Sequence, residues 1–359
     1  MHQLLRTCRQ NWQNIIRPIR LSASNVNRLI FSPYTAPTTR SARQHSTEQN
    51  TPCKIPATQL ETKDHPLGWE KIQAQVEPYF SQNWKFSSEA KRKGFLAIGL
   101  SRAFSNFFPL TLDDRVGVTC QMLYLSLLID DQLEKMSFAQ MLSYRHRITQ
   151  VVFGTVSPDM GASHEWMLYD TLQTMRIMDK RLANDVARGF CQLLKAMTSQ
   201  ERGSISTLGS YLEFRELDVG RTFYTILMRF GAKLYLTEDQ LAKSKSLEST
   251  AFRHVSVIND IYSWEREWKV SQASQSDGAQ PFSAVSIFAK ETGLPFSACK
   301  RLLYSFCREL EIVYKETEHK IRNDSSVNLT PELEKYLHGL ELFMSGIETW
   351  SRWTPRYRQ

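Results

Sequence analysis

Cysteine is sparse in this chain of 359 residues: six are scattered at Cys8, Cys53, Cys120, Cys191, Cys299 and Cys307, with no C-x-x-C pair among them. That spacing suggests no zinc site and no disulfide framework, which a chain of this length does not need, and it points to free thiols in a reducing compartment. No apolar run approaches about 18 residues without charges, so no segment is expected to span a membrane. Period-two alternation is missing and no G-x-G-x-x-G follows a candidate strand, which excludes a sheet-based dinucleotide fold. No internal repeat occurs. Acidic residues are absent from Met1 to Thr47, where seven arginines stand. That is the composition of a mitochondrial transit peptide and equally of a disordered basic extension, and both readings stay open. With the tail SRWTPRYRQ, this start carries much of the formal net charge of +8. No aromatic-interleaved basic stripe lies between the two, so nucleic acid is not an expected partner.

What is present is a helical pattern on an ample apolar content of 42%. Residues 48 to about 66, polar and carrying three prolines, read as a linker, so residues 1 to 60 are taken as extension and linker and 61 to 359 as one folded domain. From Trp69 on, apolar residues recur near 3.6 spacing in EKIQAQVEPYFSQNW, EAKRKGFLAIGLSRAFSNFF, DDRVGVTCQMLYLSLLIDDQLEKM and EWMLYDTLQTMRIMDKRLANDVARGFCQLLKAMT, with Ser87 and Asp113 as candidate caps. SYLEFRELDVGRTFYTILMRFGAKLYL and TEDQLAKSKSLESTAFRHVSVINDIYSWEREWK continue the pattern. A Ser, Gln and Gly-rich loop, VSQASQSDGAQPF, then precedes three more helical runs up to Trp350. The fold class is all-α, and so long a helical domain is expected to surround a cavity.

Two acidic stretches carry chemistry. In VSVINDIYSWEREW, Asn259, Ser263 and Glu267 recur every four residues and drift only about 80° round a helix, so all three share one face. Three oxygen ligands on one face suit magnesium, which takes one or two carboxylates together with a substrate's phosphate oxygens; a plain polar helix face is the alternative. In SLLIDDQLEK, Asp130 and Glu134 lie one turn apart, with Asp131 rotated by about 100°, at the end of an apolar helix. Acids there must reach solvent or hold metal. Asp113 and Asp114 read instead as simple N-terminal capping. Arg215 lies between the two stretches and Arg266 beside Glu267; guanidinium forks match phosphate oxygens, so the ensemble describes a diphosphate grip.

These motifs resemble the fungal class I sesquiterpene cyclases, the aristolochene-type subgroup in particular. The likeness runs from about Glu77 to Tyr357 and includes FFPLTLDDR, SYLEFRELDVG, LMRF, HVSVINDIYSWERE, CRELE and MSGIETWSRWTPRY. The resemblance implies a single helical bundle around a central active-site cavity. Asp130 would ligate magnesium with Asp131 and Glu134 in support, while Asn259, Ser263 and Glu267 would hold another ion of a three-ion cluster. Arg215, Arg266, Arg356 and Tyr357 would bind the diphosphate, and Asp218 would link Arg215 to a helix break near Val219 and Gly220. The substrate implied is farnesyl diphosphate, the reaction ionisation and cyclisation to a sesquiterpene hydrocarbon or alcohol, the enzyme cytosolic and the assembly open to homo-oligomers.

Cations formed this way survive only behind apolar and aromatic walls, for which Trp350 and then Phe107 or Phe108 are the candidates. Three positions depart from the aristolochene-type pattern: Leu127 and Leu193 stand where aromatics are expected, and Phe107 where a tyrosine is. Diphosphate chemistry should survive these changes and cation steering should not, so a product other than aristolochene is expected. A chain-elongating prenyltransferase and a non-catalytic helical binding protein are the alternatives. The Asn/Ser/Glu motif argues against the first and the complete ligand set against the second.

Overall fold

The computed structural model describes residues 57–273 and 282–358. The transit-peptide or extension reading of the basic start, and most of the Ser/Gln/Gly-rich loop, fall outside the described residues. Those residues form thirteen α-helices and no strand. In order they are α1 (Trp69–Asn83), α2 (Glu89–Ala97), α3 (Leu100–Phe107), α4 (Val116–Leu133), α5 (Phe138–Phe153), α6 (Ser163–Met178) and α7 (Lys180–Met197). Then follow α8 (Leu208–Asp218), α9 (Arg221–Ala232), α10 (Glu238–Ala273), α11 (Ala284–Thr292), α12 (Phe296–Asn323) and α13 (Pro331–Trp353), and a 3-10 turn (Pro355–Tyr357) closes the chain.

Local chemistry divides what apolar spacing reads as continuous. The run from Glu89 to Phe108 breaks at Gly99, whose φ of 72° places it in the left-handed region, where glycine carries no Cβ penalty. The run from Glu165 to Thr198 breaks at Asp179, extended at φ −161°, whose carboxylate accepts from Leu182 N at 3.0 Å and caps α7. Two cap expectations are corrected. Ser88, not Ser87, caps α2, accepting from Lys91 N at 3.2 Å. Asp113 makes no capping hydrogen bond; it is exposed in a 3-10 turn, and Arg115 stands at the N-cap of α4.

The polar stretch read as a linker is docked from residue 57 on. Leu60 and His65 are buried. The Gln59 amide donates to Glu311, the Glu61 amide to Glu341 at 3.2 Å, and Ser345 Oγ to the Glu61 carbonyl at 2.5 Å. Its backbone groups thus find partners on α12 and α13, which hydrophobic spacing cannot reveal.

α10 organises the domain. At about 1.5 Å per residue its 36 residues span about 54 Å. Thr237 and Gln240 cap it reciprocally, Gln240 N donating to Thr237 Oγ1 at 3.2 Å and Thr237 N to Gln240 Oε1 at 2.9 Å. It packs against α12 and α13 along most of its length and against α8 and the closing turn farther on, so residues 254–258 are buried all round. α13 in turn lies on α3, close enough that a methyl at Gly346 would run into the Asn106 carbonyl. α4 is buried along most of its length, as befits a core helix, yet Leu127 and Asp130 stay partly accessible, as do Tyr224 on α9 and Asn259 on α10. Accessible positions on helices otherwise packed on their neighbours mark an interior recess.

Candidate functional site

The acids of the first motif converge at the end of α4. Asp130, Asp131 and Glu134 each present an oxygen, all within 4.8 Å of one another. Asp131, although rotated from Asp130 round the helix, still brings its carboxylate into this group, and its Oδ1 accepts from Arg356 Nη2 at 2.9 Å. Burial first, and the Glu134 carboxylate second, push the Asp130 pKa up to about 7 against the pull of Arg356. A group so placed gains from a cation that favours its charged form.

The second motif lies on α10 as its period predicts. Asn259 accepts through Oδ1 from Arg215 Nη2 at 3.1 Å and donates through Nδ2 to the Tyr357 hydroxyl at 2.7 Å. Ser263 is 3% exposed, and its Oγ has no hydrogen-bond partner. Glu267 is partly accessible, and its charge acts on Tyr357 and on Asp260. Burial, opposed chiefly by Arg356, raises the Tyr357 pKa to about 12, so the phenol remains a donor at neutral pH.

Three elements close into a ring, and α8 joins it through α10. Arg266 Nη2 on α10 reaches Glu134 Oε1 beyond α4 at 3.4 Å, while Arg356 joins the closing turn to α4 and Tyr357 joins it to α10. Arg215, near the end of α8, donates to Asn259 and also to Asp218 Oδ2 at 2.5 Å. The sequence places Arg215, Arg266 and the adjacent pair Arg356 and Tyr357 far apart, and the fold brings them to one rim with both acidic motifs. Gly220, the N-cap of α9, makes the expected helix break after Val219 with φ 99°.

One contributor was not legible in the sequence. Asp260, 1% exposed, accepts from Tyr211 OH at 2.5 Å, Ala284 N at 2.7 Å and Arg215 Nη2 at 3.3 Å. It therefore ties α8, α10 and α11 together behind the rim. Its only signal was its place beside Asn259.

Buried aromatic rings pack together next to this rim. Phe107 meets Trp350 edge-on with centroids 5.8 Å apart, Trp350 meets Tyr357 at 5.4 Å, and Phe108 meets Phe343 at 5.3 Å. Trp350 donates its indole N–H to the Ile98 carbonyl at 3.3 Å, which fixes the ring. Leu193 on α7 approaches the helix break, 3.5 Å from where a Cβ on Gly220 would stand, and Leu127 is half-buried on α4.

The site's donor set suits a cation and an anion together. Ser263 Oγ, Arg215 Nε and Arg266 Nε are all buried without partners, and buried polar groups left unpaired are costly. A second cluster, His254, Glu311 and Glu348, also has its ligand atoms within 4.8 Å of one another. There Arg308 pairs with both carboxylates and Arg352 adds 2.5 Å contact to Glu348. Two guanidiniums already balance the two acids, so that cluster reads as a buried ion-pair network that braces α13.

A helical bundle with acid-rich motifs on two helices, arginines between them and an aromatic recess below is the architecture of a class I terpene synthase. The family model described as terpene synthase family 2, C-terminal metal binding, matches residues 121–311. Aristolochene synthase from Penicillium roqueforti is 40% identical over 303 residues, 84% of this chain and 88% of that protein. Aristolochene synthase from Aspergillus terreus is 37% identical over 293 residues, 82% and 91% of the two chains. The crystal structure of the Penicillium roqueforti enzyme superposes with a TM-score of 0.74 at 38% identity, covering 84% of this chain and 100% of that one. The chain belongs to the terpene synthase family, as a class I sesquiterpene cyclase. Among the described residues no helix is long and apolar enough to cross a membrane.

Proposed function

We propose that this protein ionises farnesyl diphosphate and cyclises the resulting cation to a sesquiterpene, acting as a carbon–oxygen lyase that releases diphosphate. The ring of contacts joining Asp131 to Arg356, Glu134 to Arg266, and Asn259 to both Arg215 and Tyr357 is the observation that carries this reading. Asp130, Glu134, Asn259, Ser263 and Glu267, with Asp131 in support, would hold divalent cations, for which magnesium fits the all-oxygen donor set. The family's metal-binding domain supports divalent binding; magnesium as the ion, in a cluster of three, is part of the proposal. Bound magnesium would supply Lewis-acid stabilisation of the departing diphosphate.

The chain's own residues do the rest. Arg215, Arg266 and Arg356 each lean on a carboxylate, at 2.5 Å, 3.4 Å and 2.9 Å. With Glu134 and Asp131 sharing their charge with cations, Arg266 and Arg356 would be free to grip the diphosphate, while Arg215 stays anchored by Asp218 beside Asn259; being always charged, the guanidiniums need no proton donor. Tyr357 adds a neutral O–H. Phe107, Trp350 and their neighbours exclude water and turn π faces to the cation. Leu127 and Leu193, where aristolochene-type enzymes carry aromatics, make a main product other than aristolochene the expected outcome.

Incubating the full-length protein with farnesyl diphosphate and magnesium, then analysing diphosphate and volatiles, tests the proposal. Cyclic sesquiterpene with stoichiometric diphosphate is expected. No diphosphate release would refute it, and consumption of added isopentenyl diphosphate would favour chain elongation.

A further inference from the structure

One polar pair inside the recess has no part in the diphosphate grip. Tyr224 on α9 and Ser126 on α4 bring their hydroxyl oxygens to 3.2 Å. Ser126 has only one hydrogen, and its Oγ donates to the Leu123 carbonyl at 2.9 Å. Tyr224 is therefore the donor to Ser126, and its lone pairs are left without a donor of their own. The ring that carries them lies among apolar groups, 5.7 Å from Phe343 and 6.5 Å from Phe108 between centroids. Ser126 precedes Leu127 directly and lies one helical turn before Asp130, whose charge acts on the Tyr224 phenol.

The ring is held firmly. Its Cε2 lies 2.8 Å from where a Cβ on Gly220 would be, so glycine at the helix break serves two ends, the positive φ and room for this ring. Tyr224 is also only partly buried, although Phe223 and Leu227 on the same helix are fully so. A fixed oxygen with its negative end towards an apolar recess stabilises positive charge far better there than in water.

We infer that Tyr224 is a specificity-determining residue of the cyclisation, its phenolic oxygen presented to the carbocation as a lone-pair acceptor by the hydrogen bond to Ser126. The inference rests on the cyclase reading and deepens it. The dipole lowers the energy of cations charged near Tyr224 relative to those charged deeper in the recess, and so sets which carbon carries the charge when a proton is lost. Diphosphate departure is governed at the rim and does not depend on it.

The test compares the full-length protein with Tyr224→Phe and Ser126→Ala, measuring diphosphate release and the product profile from farnesyl diphosphate. Tyr224→Phe keeps the ring and its packing but loses the oxygen. It is expected to release diphosphate within about twofold of the parent while the ratio of main to minor products changes about fivefold, which is about 1 kcal/mol between competing steps. Ser126→Ala frees the phenolic hydrogen to turn into the recess and is expected to move the ratio in the same direction. Diphosphate release with unchanged profiles in both variants overturns the inference and leaves the cyclase reading intact. Absence of release from the parent protein overturns both. Should circular dichroism show Tyr224→Phe unfolded, the Ser126→Ala profile decides alone.

Discussion

Ser263→Ala separates a metal site from a structural helix face, because the two readings predict opposite signs. Ser263 Oγ is buried without a hydrogen-bond partner in the protein. Leaving a buried hydroxyl unsatisfied costs about 1–3 kcal/mol. Alanine removes that cost and adds about 0.5 kcal/mol of helix propensity, against a small loss of packing from one deleted atom. The variant should therefore gain about 1–2 kcal/mol in EDTA, which in a large domain is a rise in Tm of about 2–4 °C. With magnesium and farnesyl diphosphate the order should invert. Outer-shell partners of metal ligands already cost about 10–100-fold in affinity or activity when removed, so loss of a direct ligand should raise the magnesium requirement at least about tenfold. Thermal melts in EDTA and magnesium titrations of diphosphate release measure the two quantities on the same preparations. A variant that melts lower in EDTA and titrates with magnesium like the parent would refute the assignment.

Asn259→Leu should abolish diphosphate release with the helical content kept, whereas Asp113→Ala, at an exposed position without a capping hydrogen bond, should keep activity and shift stability by less than about 0.5 kcal/mol. Gly346→Ala forces a methyl onto the Asn106 carbonyl and should destabilise by about 3 kcal/mol or more, read by denaturant unfolding. Burial would raise the Glu311 pKa, but the hydrogen bond and charge of His254, with Arg308, hold it below its ordinary value. A depressed carboxylate contributes stability that is complete above its unfolded pKa of about 4.3 and is lost as pH falls through the folded value. Glu311→Gln should accordingly flatten the acid limb of the stability profile below about pH 4.5; an unchanged limb would show that the pair contributes nothing.

The helical class and both acidic motifs were legible because each depends on spacing within one helix. Asn259, Ser263 and Glu267 share a face wherever that helix lies. Arg356 and Tyr357 could not be read this way, since their partners Asp131 and Asn259 are 225 and 98 residues away, and only the family resemblance brought them forward. Asp260 went unread for the same reason: its partners Tyr211 and Ala284 belong to other helices. α5 is weakly marked in the sequence, since only Ile148, Val151 and Val152 are buried on it, too few to make a stripe. The split at Asp179 did have a local signal, a capping carboxylate, but apolar residues at helical spacing on both sides of it masked the break.

The recess is where sequence and structure jointly limit the outcome, and Leu127 is the residue to change. It lies between Ser126, the acceptor for Tyr224, and the core residue Leu128, and is half-buried on the accessible side of α4 three residues before Asp130. A leucine there offers volume but no π face, so under the proposed reaction a cation passing that wall would be held by shape and by aromatic rings elsewhere. Leu127→Phe restores a face worth about 0.5–2 kcal/mol to a desolvated cation, enough to shift a product ratio about twofold to thirtyfold. Diphosphate release, fixed at the rim, should stay within about threefold of the parent. Gas chromatography of parent and variant decides the matter: aristolochene as the parent's main product, or a variant profile identical to the parent's, would show that Leu127 does not steer the cation.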